Sequence, residues 1–208
     1  MKNNLDKTYY QQGYSFIAGC DEAGRGPIAG PVVAAAVILP KDFADVRIDD
    51  SKQLTALQRE ALFVLIQEKA LAFAITVVDV TTITRINILE ASRLGMQLSL
   101  EKLKHRYDVV LSDAMALPQQ KVPVFPLIHG DALSQTIAAS SILAKVTRDR
   151  LMVVMAKTYP HFQFDVHKGY PTPQHLMLLK RHGPIEGIHR PTFAPVKAWI
   201  HAKHKSIS

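Results

Sequence analysis

An α/β fold, a mixed sheet flanked by helices and followed by a helical C-terminal segment, is what this sequence predicts. Short apolar runs rich in Val, Ile and Ala alternate with longer segments whose apolar residues recur at helical spacing. Gly, Pro and capping residues punctuate that alternation, and no repeat, low-complexity stretch or linker interrupts it. A chain of 208 residues with 48% hydrophobic content is also long enough to bury one sizeable core. One domain is therefore expected over residues 1–208, with its core at about 14–160 and a helical C-terminal segment at about 161–208.

The elements follow in order. Tyr14 to Cys20 reads as a short buried strand that delivers Asp21 near its end, and Val32 to Leu39 as a second strand stopped by Pro40. The polar loop Asp49-Asp50-Ser51-Lys52 leads to a helix from about Thr55, where Thr55-x-x-Gln58 forms a capping box and Leu57, Ala61 and Leu65 an apolar stripe. Leu71 to Val80 is expected to be an edge strand. Thr82 to Arg106 reads as a long or broken helix, with Ile86, Leu89, Leu94, Leu98 and Leu103 among its inward candidates. Val109-Val110-Leu111 is a strand ending at Ser112-Asp113, and Val124 to Ile128 another, ending at His129-Gly130-Asp131. A long helix then runs from about Ser134 to Lys157. Thr172-Pro173 marks an N-cap and first helical position, with Gly183 as the matching stop.

Composition narrows the function classes. The formal net charge of +7 favours a polyanionic partner, nucleic acid first. No apolar stretch approaches the roughly 20 residues of a membrane span, and Met1 to Lys7 lacks the apolar region of a secretory signal, so a cytoplasmic location is expected. The single cysteine, Cys20, excludes an intrachain disulfide and reads as a small core residue.

The chemistry concentrates in Asp21-Glu22-Ala23-Gly24-Arg25-Gly26-Pro27, where two adjacent carboxylates leave an apolar run and enter a Gly-Arg-Gly turn. Side by side at a sheet, such acids suffer desolvation and mutual repulsion that a divalent cation offsets. Gly24 and Gly26 let a ligand approach the backbone, and Arg25 adds a charge suited to phosphate. Two other readings use the same letters. Gly24-x-Gly26-x-x-Ala29 matches a dinucleotide-binding fingerprint, but that motif must open a helix, and here Pro27, Pro31 and a Val-rich run follow. The acids could also be solvated in a Gly-Pro turn.

Three predicted strands end at acids: Asp21-Glu22, Asp113 and Asp131. Open mixed sheets place ligands outside strand ends, so these distant residues can converge. Singly, Asp113 or Asp131 would pass for a cap or turn residue; repetition at strand ends argues for a site. Hard oxygen ligands without cysteines or paired histidines select Mg²⁺ or Mn²⁺ over zinc, and with a basic surface they point to phosphodiester hydrolysis by metal-activated water.

At these residues the chain resembles the bacterial ribonuclease HII family, a type 2 ribonuclease H. The likeness rests on DEAGRGP at Asp21, DDSKQLT at Asp49, SDAMALP around Asp113, HGDALSQTIAASSILAKVTRDR from His129 and HKGYPTPQH from His167, in order from about Phe16 to Val196. It implies a ribonuclease H-like fold and endonucleolytic cleavage of RNA in RNA–DNA hybrids and at ribonucleotides embedded in DNA duplex, leaving 5′-phosphate and 3′-hydroxyl ends. It further implies that Asp21, Glu22, Asp113 and Asp131 bind two Mg²⁺ or Mn²⁺ ions, and that Gly24, Arg25 and Gly26 read the 2′-hydroxyl. By the same likeness Tyr170 packs on the following deoxyribose and Lys52 lies near the substrate phosphates. Arg25 and the lack of an extra N-terminal domain favour the HII over the HIII type. A monomer is expected, with a contact to a replication protein through the basic tail Lys197 to Ser208.

Two positions depart from the family pattern: His129 stands where many relatives have lysine, and Ser140 where alanine is usual. A hydroxyl there can bond the preceding helical turn with little effect. Among weaker signals, Lys145, Arg148 and Arg150 could meet phosphates, while His201-x-x-His204 lacks the companions of a metal site and reads as a frayed basic tail. A non-catalytic nucleic-acid-binding module is the rival reading, needing the basic surface but not the acids. A nicotinamide-dependent oxidoreductase is more remote.

Overall fold

The computed structural model describes residues 5–45, 47–48 and 54–205. In chain order the elements are α1 (Leu5–Gln11), β1 (Ile17–Ala23), β2 (Val32–Ile38), α2 (Ala56–Lys69), β3 (Ala72–Val78), α3 (Val80–Glu101), β4 (Val109–Asp113), β5 (Val124–Leu127), α4 (Gly130–Leu133), α5 (Gln135–Thr158), α6 (Phe164–His167), α7 (Pro173–His182) and α8 (Ala194–Lys205). A 3₁₀ turn at Pro160–Phe162 joins α5 to α6. Among these residues no helix is long and apolar enough to cross a membrane.

The five strands form one mixed sheet in the order β3-β2-β1-β4-β5. Antiparallel pairs join β1 to β2 and β2 to β3, whereas β4 lies parallel to both β1 and β5. All seven residues of β2 are buried because both of its faces are covered. Val33, Ala35 and Val37 pack with Leu62 and Ile66 of α2 and Ile142 and Leu143 of α5, while Ala34, Ala36 and Ile38 pack with Met96 and Leu100 of α3. Small residues set the spacing: a Cβ at Gly19 of β1 would lie 2.4 Å from the Thr136 carbonyl carbon, so α5 sits directly against the middle of the sheet. A side chain there would push the helix off the strand that carries Asp21.

Local signals explain most boundaries. The expected capping box is present, with the Thr55 hydroxyl accepting from the Gln58 amide and the Gln58 side chain accepting from the Thr55 amide. The inward face of α2 is different from the expected one: Leu62, Phe63 and Ile66 are buried, whereas Leu57 is 81% exposed and Ala61 is also exposed. The docking of α5 selects this neighbouring stripe. Helix α3 is broken, as its sequence allowed, at Asn87, whose φ of 66° interrupts the helix while its side-chain oxygen accepts from the Leu89 and Glu90 amides. The second half thus starts on its own cap. Its buried residues are Ala91, Ser92, Gly95, Met96, Ser99 and Leu100, one position round from the expected Leu94 and Leu98, and Leu89 is exposed.

Helix α1 is an addition to the expected elements. Its buried Asp6 accepts from the Ser134 hydroxyl at 2.5 Å and from the Thr136 amide and hydroxyl at 3.0 and 2.8 Å, so the chain's first helix caps the longest one. After α5 the chain returns to the β1–β2 connection: Phe162 and Phe164 pack with Ala29 and Met152, and Leu179 and Val196 with Ile28. Thr172 caps α7 and Gly183 ends it, as expected. The C-terminal segment is helical, as expected, and α8 (Ala194–Lys205) continues past His201, where a frayed tail was expected.

Candidate active site

Parallel pairing of β1 with β4 places the acids. The register matches Cys20 to Ser112, so Asp21 and Asp113 come next on adjacent strands. Asp113 Oδ1 then accepts from the Gly130 amide at 2.7 Å, which ties the end of β4 to the start of α4 and sets Asp131 in its first turn. The expected strand end is thus a one-turn helix entered through His129, exposed and left-handed at φ 56°. Asp21 and Glu22 lie inside β1 rather than beyond it.

These acids share one electrostatic environment. Burial, then the charge of Glu22, and further the charge of Asp113 push the Asp21 carboxyl well above its usual range, against a hydrogen bond from Ser141. Burial also raises Glu22, opposed by Arg25, whose Nη1 donates to Glu22 Oε1 at 3.3 Å. Glu22 Oε2 is buried with no hydrogen-bond partner among the described residues. An orphaned carboxylate oxygen beside a second buried acid fits a hard divalent cation. Among the described residues no three His, Cys, Asp or Glu side chains form a closed metal-holding group, so an ion would have to draw these oxygens inward.

In front of the acids lies a cleft of about 460 Å³. Glu22, Gly24, Arg25, Gly26 and Asp131 line it, as does Tyr170 from the C-terminal segment. Gly26 and Tyr170 face each other, since a Cβ on the glycine would lie 3.6 Å from Tyr170 Cε1. Tyr170 is 40% exposed, which leaves its ring available to a ligand. Gly24, at φ +103°, takes a backbone shape that other residues rarely adopt.

The structure thus brings together Asp21, Glu22, Asp113, Asp131, Gly24, Arg25, Gly26 and Tyr170, while Lys52 lies outside the described residues. It adds Arg59, Ser141 and Lys145 to the cleft wall. Of these, only Lys145 stood out in the sequence; Arg59 is one of many charged residues on a helix surface and carries no local signal. Of the other two cations read as phosphate contacts, Arg150 pairs with Glu60 and lies over the Phe63 ring, and Arg148 is fully buried, facing carbonyls instead of solvent. Ser140 donates to the Ile137 carbonyl at 2.7 Å, the back-bond expected of it.

The sequence model of the Ribonuclease HII family matches residues 18–196, a span that holds every one of these cleft residues. The chain belongs to that family. Ribonuclease HII of Bacillus pumilus is 52% identical over 191 residues, covering 91% of this chain and 74% of its own. Ribonuclease HII of Acholeplasma laidlawii is 51% identical over 192 residues, covering 92% of this chain and 94% of its own. Among solved structures, ribonuclease H2 from Pyrococcus horikoshii OT3 matches with a TM-score of 0.79 at 26% identity, covering 91% of this chain and 99% of that one. As a ribonuclease HII-family chain it is an enzyme, a metal-dependent endoribonuclease of the ribonuclease H type that acts on RNA–DNA hybrids. The sheet order and its flanking helices are the ribonuclease H-like architecture expected from the sequence.

Proposed function

We propose that this chain also cuts on the 5′ side of ribonucleotides embedded in duplex DNA, and that it hydrolyses both substrates to 5′-phosphate and 3′-hydroxyl ends. The observation that carries this reading is that Tyr170 lies directly beside Gly26 in the lining of the acid-lined cleft. A turn whose backbone is open to a ribose, next to an aromatic ring that packs on the following sugar, reads a ribose–deoxyribose step where neither alone would.

Asp21, Glu22, Asp113 and Asp131 would hold two ions, Mg²⁺ or Mn²⁺, which when bound supply an activated water and stabilise the leaving 3′-oxygen. The chain's own residues do the rest. Gly24, Arg25 and Gly26 meet the 2′-hydroxyl and adjacent phosphate, Lys52, Arg59 and Lys145 neutralise phosphates along the strand, and Tyr170 excludes a second 2′-hydroxyl by its bulk. Arg25 now covers Glu22, so it must swing from carboxylate to phosphate as substrate enters. The basic helix α8, with Lys197, Lys203 and Lys205, would offer a contact to a replication protein.

The test compares kcat/KM on a DNA duplex with one ribonucleotide and on a continuous hybrid of equal length, with Mg²⁺, Mn²⁺ or chelator. Tyr170→Ala should lose most cleavage of the single ribonucleotide while keeping more on the hybrid, the stacking contact being worth about 1–3 kcal/mol only where a deoxyribose sits beside it. Equal losses on both would reduce Tyr170 to a general binding surface, and cleavage that survives thorough chelation would remove the metal from the reading.

A further inference from the structure

Two arginines behind the Gly-Arg-Gly turn are fully buried, Arg148 on α5 and Arg190 ahead of α8. Burial of such a charge is ordinarily compensated by an acid. Here the hydrogen bonds of both guanidiniums among the described residues all go to backbone carbonyls. Arg190 Nη2 donates to Gly24 O at 2.7 Å and Nη1 to Arg25 O at 3.1 Å, while Nε and Nη2 reach Gly30 O at 3.0 and 2.8 Å and Nη2 also meets Pro31 O at 3.2 Å. Arg148 holds the following stretch, with Nε on Pro31 O at 3.0 Å and Nη2 on Ala29 O at 3.2 Å. A guanidinium suits this task because it has five donors and no acceptor. Keeping two of them here costs stability: burial, and next the charge of Arg148, lower the Arg190 pKa to about 9.

Peptide geometry supplies the consequence. In a trans peptide the C=O and the following N–H point in opposite directions. Drawing the Gly24 and Arg25 carbonyls inward onto Arg190 therefore turns the Arg25 and Gly26 amides outward, on the side where those residues line the cleft. Neither amide donates to another backbone group among the described residues. Gly24 completes the arrangement, since a Cβ there would lie 2.2 Å from Arg148 Nε.

We propose that Arg190 is the positioning residue for ribose recognition, aiming the Arg25 and Gly26 amides at the 2′-hydroxyl by holding the carbonyls behind them. The proposal rests on the reading of Gly24–Gly26 as the turn that meets that hydroxyl. Arg190→Lys keeps the charge but cannot span the carbonyls. Binding is measured by fluorescence anisotropy in chelator, on a duplex with one ribonucleotide and on an all-DNA duplex of the same sequence. Wild type should prefer the ribonucleotide duplex; Arg190→Lys should lose at least fivefold of that preference with DNA affinity held within about twofold. A wild type without preference would overturn the reading of the turn, and the proposal with it. A variant that folds and keeps the full preference would overturn the role of Arg190 alone. Should Arg190→Lys not fold, ¹⁵N spectra of the wild type decide. The Arg25 and Gly26 amides should exchange rapidly in the free protein and shift on adding the ribonucleotide duplex but not the DNA duplex. Protected amides in the free protein, or identical responses to both duplexes, would overturn the proposal.

Discussion

Asp21 carries a cost at the centre of the fold. It is buried, next to Glu22 in sequence and to Asp113 across the sheet, and its ionised form is disfavoured by all three facts. Strain of this kind at a reactive site is stability given up for function. Asp21→Asn should therefore raise the melting temperature of the metal-free protein by about 2–4 °C, the shift that about 1 kcal/mol gives in a chain of this size, while abolishing cleavage. Melting curves in chelator check it, and a lower melting temperature would mean that the carboxylate stabilises the fold. Asp113 has a different local duty, since its Oδ1 holds the Gly130 amide and so places Asp131. An amide oxygen can keep that bond but not the charge. Asp113→Asn should fold normally and bind duplex, yet lose roughly 10²-fold or more in kcat, the usual cost of removing an electrostatic stabiliser. Near wild-type turnover at saturating metal would take Asp113 out of the reaction.

Among the elements, the segment from α6 to α8 depends on buried histidines. Ile185 N–H donates to His189 Nδ1, which leaves the proton on Nε2 to be shared with His175 Nε2 at 3.1 Å, and His175 Nδ1 then donates to the Tyr170 carbonyl at 2.9 Å. Every ring nitrogen in this chain has a role only when the rings are neutral. Burial lowers His175 to about 4 and His189 to about 3. Both lie below the unfolded value of 6.5, so the unfolded chain takes up protons first. Their contribution to stability is complete above pH 6.5 and is lost as pH falls towards 4 and 3, at up to about 1.4 kcal/mol per pH unit for each proton. Urea midpoints at pH 7, 5.5 and 4.5 should fall in wild type and fall less steeply in the His175→Gln/His189→Gln double variant; equal slopes would remove the histidines as the cause. None of this was legible in the sequence, where His175 and His189 stand apart with no shared pattern. What was legible is local: caps at Thr55 and Thr172, the start of the long helix near Ser134, stops at Pro40 and Gly183, and the acid that ends β4. The inward faces of α2 and α3 were read only in part, with Leu65, Ile86 and Leu103 packed on the core as expected and Leu57, Ala61 and Leu89 exposed, because the partner helix or strand, not the periodicity alone, selects between adjacent stripes. Arg148 read as a surface cation because the carbonyls that hold it lie more than a hundred residues earlier in the chain.

At the scale of the whole molecule, charge and recognition are separate. The net charge of +7 is a general attraction for phosphates, and Arg25, Arg59 and Lys145 bring part of it to the cleft. Binding that neutralises phosphates releases counterions, so three such contacts predict a slope of about −2.7 in log affinity against log salt, steeper if residues outside the cleft also take part. The 2′-hydroxyl is uncharged, and the groups proposed to meet it are backbone amides and a tyrosine ring. Contacts of that kind release no counterions. The ratio of affinities for a single-ribonucleotide duplex and an all-DNA duplex should therefore stay constant while both affinities drop between 50 and 300 mM salt. Replacing Arg59 and Lys145 together by Gln should flatten the salt slope by about 2 and leave that ratio unchanged. Anisotropy titrations of both duplexes over the salt series measure slope and ratio at once. A ratio that collapses with salt would mean that discrimination comes from a phosphate contact, with Arg25 rather than the turn's backbone as the reader of the ribose.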